Sequence, residues 1–238
     1  MSRLGVLAFG DSITNGGGEL QWGVALQSWA LWVARGLRLP YSGFAVDGAR
    51  VSDVLARQVP AVPPDARYDL GCLYIGVNDV RALDWDRATF ERDHDAALAF
   101  LGERCERLLT MTLPLDLGRP RAGAKVQDAN AAIAASAARH GALVIDLTDF
   151  GARNLVMVDH VHPTAFGQIA IAERVLDVLQ RQGMTVAVRP STLIYYETTR
   201  RGRLRGDLTY AYRHLKVSTR AAWDRLRVAG TGGARSGT

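Results

Sequence analysis

Only two of the 238 residues are cysteine, too few for the disulfide framework of a small secreted scaffold. Cys72 lies in the apolar stretch DLGCLYIG and Cys105 in ERCERLLTM, so both read as free thiols buried in core elements. Long hydrophobic runs are lacking as well. No apolar stretch approaches the roughly 20 residues that a membrane span requires, and the chain is expected to be soluble. The first core strand begins at about Leu4, which leaves no space before it for a secretory signal; the expected location is the cytoplasm. No further His or Cys cluster supplies metal-ligand spacing, and no nucleic-acid recognition motif accompanies the basic residues, so no metal, cofactor or nucleic-acid partner is expected.

What is present is enough apolar residue, 48% of the chain, to bury one sizeable core. The charge is segregated. Residues 1–188 carry 18 Lys and Arg against 21 Asp and Glu, a balance of −3, whereas residues 189–238 carry 11 against 3, a balance of +8. The basic character therefore belongs to the tail. Two regions are expected: a main domain over 1–188 and a basic, partly helical extension over 189–238.

Apolar runs alternate with helical patterns through the main region. LGVLAF (4–9), YSGFAV (41–46), LGCLYIG (70–76), LLTMTLP (108–114) and ALVIDL (142–147) read as strands. Helical patterns follow over 27–37, 51–58, 87–103, 122–141 and 163–183. Continuous apolar strands each followed by a helix predict a parallel sheet covered on both faces. With right-handed crossovers this is an α/β, three-layer αβα sandwich with five strands. In such sheets ligands bind beyond the carboxyl ends of the strands, so the residues just after each strand carry the functional information.

Those residues are Gly10, Asp11 and Ser12 after the first strand, Asp47 and Gly48 after the second, and Gly76–Asp79 after the third. The loop before the last helix adds Asp159, His160, Val161 and His162. Acyl transfer needs this inventory: a hydroxyl nucleophile, an imidazole to take its proton, and a carboxylate to fix the imidazole's tautomer. It also needs donors for the developing oxyanion, a role open to the Ser12 N–H, the Gly48 N–H and the Asn78 amide. Taken singly, Ser12 reads as a helix cap; taken with the other three positions, it reads as the nucleophile.

The blocks GDSIT (10–14), Gly48 in VDGARVSDVL, GVND (76–79) and DHVHP (159–163) resemble, in order, the four sequence blocks of the SGNH hydrolases, the GDSL esterase and lipase family. The resemblance covers roughly residues 4–182 and implies Ser12 as nucleophile, Asp159 and His162 as its partners, and Ser12, Gly48 and Asn78 as the oxyanion hole. It implies a flavodoxin-like sheet and hydrolysis of carboxylic esters without a cofactor. His160 departs from the family's small residue at that position and brings a second imidazole toward the site. Trp29, in the first helix, is a further point of likeness and is assigned to packing.

Other readings stand beside these. Asp159, His160 and His162 are a weaker metal set than a triad, because zinc needs three or four well-placed ligands. His94, His140 and His214 fall in helices, at surface or helix-end positions. The segment TNGGGELQWGVALQ (14–27) is either a lip over the substrate, with Trp22 as an aromatic substrate-binding wall, or a tight surface loop. Short predicted loops without an inserted lid point to short-chain acyl or acetyl esters as the small-molecule partner. A thioesterase or acyltransferase would share the triad, and a binding or scaffolding protein working through the basic tail is the rival from another class. In that tail Leu208, Tyr212, Leu215, Thr219, Ala222 and Leu226 share a helical face over residues 207–228. It would dock on the domain, meet a second subunit, or meet an anionic membrane surface.

Overall fold

The computed structural model describes residues 3–196, together with 199–201, 204, 208, 211, 212, 215, 216 and 219. Five parallel strands form one sheet: β1 (Val6–Gly10), β2 (Tyr41–Gly43), β3 (Tyr68–Tyr74), β4 (Cys105–Met111) and β5 (Leu143–Ile145), in the order β2-β1-β3-β4-β5. β1 and β3 sit inside the sheet with helices on both faces, which is why they read as unbroken apolar runs. Every residue of β1 is buried, and Leu70, Cys72 and Leu73 of β3 are fully so. Burying each large apolar side chain contributes about 2 kcal/mol relative to leaving it exposed, and this layer supplies the rigid platform for the strand ends.

Between the strands run α1 (Ser12–Asn15), α2 (Trp29–Leu37), α3 (Val51–Asp53), α4 (Val77–Arg81), α5 (Arg87–Gly102) and α6 (Ala124–His140), and α7 (Ala165–Arg181) follows the last strand. α3 continues as a wider turn over Val54–Gln58 and a 3₁₀ turn over Val59–Ala61. Pro60 and Pro63 terminate it, since proline cannot supply the next backbone donor. α6 ends where expected: Gly141 adopts φ +63° and its neighbour Ala142 returns an N–H to Ala137. The second strand is shorter than the apolar run suggested. Pairing stops at Gly43, although the Phe44 and Val46 N–H groups still donate to Ala8 and Gly10 carbonyls, so the segment tracks β1 without a regular ladder.

Three expectations are corrected. His94 is completely buried within α5, between Ser136 Oγ (3.1 Å from Nδ1) and Thr110 Oγ1 (3.3 Å from Nε2). It lies on the buried stripe of Phe90, His94, Ala97, Leu98 and Leu101, and burial pushes its pKa down to about 3, so it remains a neutral part of the core. Cys105 is only partly buried, although both thiols are free. In the extension, Leu208, Tyr212 and Leu215 are exposed, so the described part of that face is not docked on the domain; His214, Ala222 and Leu226 lie outside the described residues. Among the described residues no helix is long and apolar enough to cross a membrane.

The chain continues to pack beyond residue 188. Arg189 reaches Glu173 and Asp177 of α7, Pro190 is buried, and Tyr196 stands edge-on to Phe166 at 4.6 Å.

Candidate active site

β1 delivers its exit at Gly10, where an added Cβ would stand 2.4 Å from Thr14 Oγ1 and 2.5 Å from the Tyr74 carbonyl. Only glycine lets the chain turn there. Asp11 then caps α1, its Oδ1 accepting the Ile13 N–H at 2.9 Å, and Ser12 becomes the first helical residue. The N–H of a first-turn residue has no intrahelical acceptor, and Ser12 is the first residue of α1.

Two buried glutamines hold this turn from opposite sides. Gln58 accepts the Gly10 N–H (3.0 Å) and donates to the Gly10 carbonyl (2.8 Å). Gln168 donates to the Ile13 and Gly17 carbonyls (2.9 and 3.1 Å) and accepts the Trp29 N–H (2.8 Å). Neither was singled out from the sequence, yet a signal exists. Gln58 continues the spacing of Val51 and Val54, and Gln168 that of Ala172, Val175 and Leu179; a polar residue on an apolar stripe has to find a buried partner.

The loop 157–163 approaches from the other end of the chain. His162 Nε2 lies 3.0 Å from Ser12 Oγ, and His162 Nδ1 lies 2.7 Å from Asp159 Oδ2. Asp159 Oδ1 accepts the Val161 and His162 N–H groups at 2.9 and 3.1 Å, an Asx-type turn that locks the carboxylate against the imidazole. Burial alone would raise the pKa of Asp159, but the His162 ring and the two amides hold it below the usual carboxylate range. The Asp159 hydrogen bond raises the pKa of His162, against burial. An ionised carboxylate only accepts, so the ring proton sits on Nδ1 and the Nε2 lone pair faces the serine hydroxyl.

Gly48 and Asn78 share one groove at the strand ends. Gly48 takes φ +75°, a conformation costly for other residues, and an Asn15–Asp47 side-chain bond of 2.9 Å ties its loop to α1. Asn78 donates to the Ala49 carbonyl at 3.0 Å, and the buried Asp79 carboxylate accepts the Val51 N–H at 3.2 Å. Burial raises the pKa of Asp79 to about 6, and that of Asp11 to about 7.

One expected neighbour of the triad, His160, has its partners elsewhere. His160, at φ +54°, turns into Asp116 and Arg119, with Nδ1 3.1 Å from Asp116 Oδ2. Trp22 stacks on Tyr196 at 6.0 Å and meets Phe166 at 5.5 Å. Among the described residues no group of three His, Cys, Asp or Glu side chains is arranged to hold a metal ion.

The model of the GDSL-like lipase/acylhydrolase family matches residues 8–169, from within β1 to the start of α7. The chain belongs to the GDSL-like lipase/acylhydrolase family. As a member it is a carboxylic ester hydrolase, and its sheet is that of its solved structural neighbours. A lipase/acylhydrolase from Enterococcus faecalis superposes with a TM-score of 0.62 at 20% identity, covering 79% of this chain and all (100%) of that one. LAE5, an alpha/beta hydrolase enzyme from the metagenome of Lake Arreo, Spain, gives 0.59 at 22% identity over 74% of this chain and 94% of its own. Axe2, an acetylxylan esterase from Geobacillus stearothermophilus, gives 0.57 at 20% identity over 74% and 95%. At such identities the likeness is one of fold. Among curated proteins no sequence matches the chain.

Proposed function

We propose that this acylhydrolase is a serine esterase working through an acyl-enzyme on short-chain acyl or acetyl esters. The observation that carries the reading is the continuous relay from Asp159 Oδ2 through His162 to Ser12 Oγ, with links of 2.7 and 3.0 Å. His162 Nε2 takes the hydroxyl proton as Ser12 Oγ attacks the acyl carbonyl. Ionised Asp159 stabilises the imidazolium that forms. The Ser12 N–H, the Gly48 N–H and the Asn78 amide receive the oxyanion. Imidazolium then protonates the leaving alcohol as the carbon–oxygen bond breaks, leaving the acyl group on Ser12. Water, deprotonated by the same Nε2, attacks that ester and the serine leaves with its proton restored.

The division of labour follows: the chemistry belongs to residues 1–188, and the basic extension of 189–238 takes no part in it. The deciding experiment is hydrolysis of p-nitrophenyl esters from acetate to palmitate by the native protein and by Ser12→Ala. Activity concentrated on the short chains and abolished in the variant is expected. Equal rates in both proteins would remove Ser12 as nucleophile, and a preference for palmitate would overturn the short-chain assignment.

A further inference from the structure

The groove that contains Gly48 and Asn78 has a volume of about 520 Å³, and four of its lining residues are cationic. Arg50 precedes α3, Arg81 ends α4, and Arg121 and Lys125 lie just before and in the first turn of α6, so the topology gathers them from three places on the chain. None of the residues lining the groove is acidic. This runs against the domain as a whole, where residues 1–188 carry a net −3.

The four cations are not equally available. Arg50 holds Asp84 through two contacts of 3.0 Å, and Arg121 Nε lies 2.6 Å from Asp116. Lys125 Nζ donates to the neutral Ala82 carbonyl at 2.9 Å and makes no ion pair among the described residues, although the Asp84 carboxylate feels its charge. Arg81 is exposed, lies beside Gly118 and makes no ion pair among the described residues. Its charge is also felt at His162, whose pKa it lowers against the dominant pull of Asp159. Two cations without an ion pair among the described residues, one of them a turn beyond Asn78 on α4, thus line the same groove as two of the proposed oxyanion donors. A cleft of one sign concentrates ligands of the other, and cations facing a bound anion form the stronger class of hydrogen bonds.

We infer that the ester substrate carries an anionic group, a carboxylate or a phosphate, which Arg81 and Lys125 hold in this groove while the Gly48 and Asn78 side receives the carbonyl oxygen. The inference rests on the proposed Ser12 site and adds the substrate's charge to it.

The test compares charged esters with neutral isosteres at low ionic strength. The pairs are p-nitrophenyl hemisuccinate against its methyl ester, 4-acetoxybenzoate against its methyl ester, and 4-acetoxyphenyl phosphate against its dimethyl ester. They place the anion on the acyl side, the leaving side, or the leaving side as phosphate. In at least one pair the charged member is expected to be favoured by about tenfold in kcat/KM. That preference should shrink in Arg81→Gln, return in part in Arg81→Lys, and weaken at about 0.5 M salt, where screening shortens the reach of the charges. No preference in any pair, or a preference indifferent to Arg81→Gln, overturns the inference. Ser12→Ala separates the two ideas. Undiminished hydrolysis in that variant would sink the serine mechanism, whereas its equilibrium binding of charged over neutral ester, measured by calorimetry with and without Arg81→Gln, still decides the groove.

Discussion

Asp159 is the residue on which the ionisation of the site turns. It raises the pKa of His162 above the ordinary histidine value of 6.5, and in the proposed mechanism this sets the acid limb of the reaction. The base works only when neutral, so kcat/KM is expected to fall as the pH drops through that raised value. Asp159→Asn removes the pull: the limb should move to lower pH, and the plateau should drop by about 10,000-fold because the ring loses its orienting acceptor. A pH–rate profile of both proteins checks this, and an unmoved limb would mean that another group titrates. Asn78 tests the oxyanion donors. Asn78→Ala is expected to lower kcat by about 100-fold with KM little changed, and a thermal melt beside the assay accounts for the lost bond to Ala49. Asn78 was legible because it follows β3 directly, and Asp159 and His162 because they stand together in the loop before the last helix, three positions apart. The packing of Trp22 was not, because its ring meets Phe166 and Tyr196, the latter 174 positions away.

At the scale of elements, periodicity carried the strands and the long helices, since both report burial. It could not report α1, whose four residues complete barely one turn. Nor could it separate Gln58, His94 and Gln168 from surface residues without weighing which face of the helix they occupy. Gln168 links α7 to both α1 and α2, and so couples the last helix, which follows His162, to the turn that holds Ser12. Replacing it with methionine of similar volume leaves two carbonyls and one N–H without their partner. Unsatisfied buried groups cost about 1–3 kcal/mol each, so Gln168→Met is expected to lower the urea midpoint clearly and to reduce kcat more than it raises KM. Unaltered stability would show that the turn is held by Gln58 and the Asp11 cap alone.

Over the whole molecule, the charge is divided between a mildly acidic domain and a strongly basic extension, a contrast read from the sequence. The cationic groove inside the acidic domain was not, because Arg50, Arg81, Arg121 and Lys125 come together only through the strand order. The packing of Arg189–Tyr196 onto α7 and Trp22 likewise has no periodic signature. A chain ending at Tyr196 is expected to keep its melting temperature and its kcat/KM within about twofold, a surface-level change, whereas one ending at Val188 loses the Arg189 ion pairs and the Tyr196 contacts and should melt lower. A large loss of activity in the longer truncation would assign the extension a part in catalysis. The account's central claim is that one hydroxyl in the chain, Ser12 Oγ, becomes acylated. Intact-protein mass spectrometry after treatment with a short-chain p-nitrophenyl phosphonate, followed by peptide mapping, tests it most directly. The predicted result is a single adduct per chain on Ser12, absent from Ser12→Ala and slow to form in His162→Ala; an adduct on another residue, or ester hydrolysis continuing with no adduct at all, would contradict it.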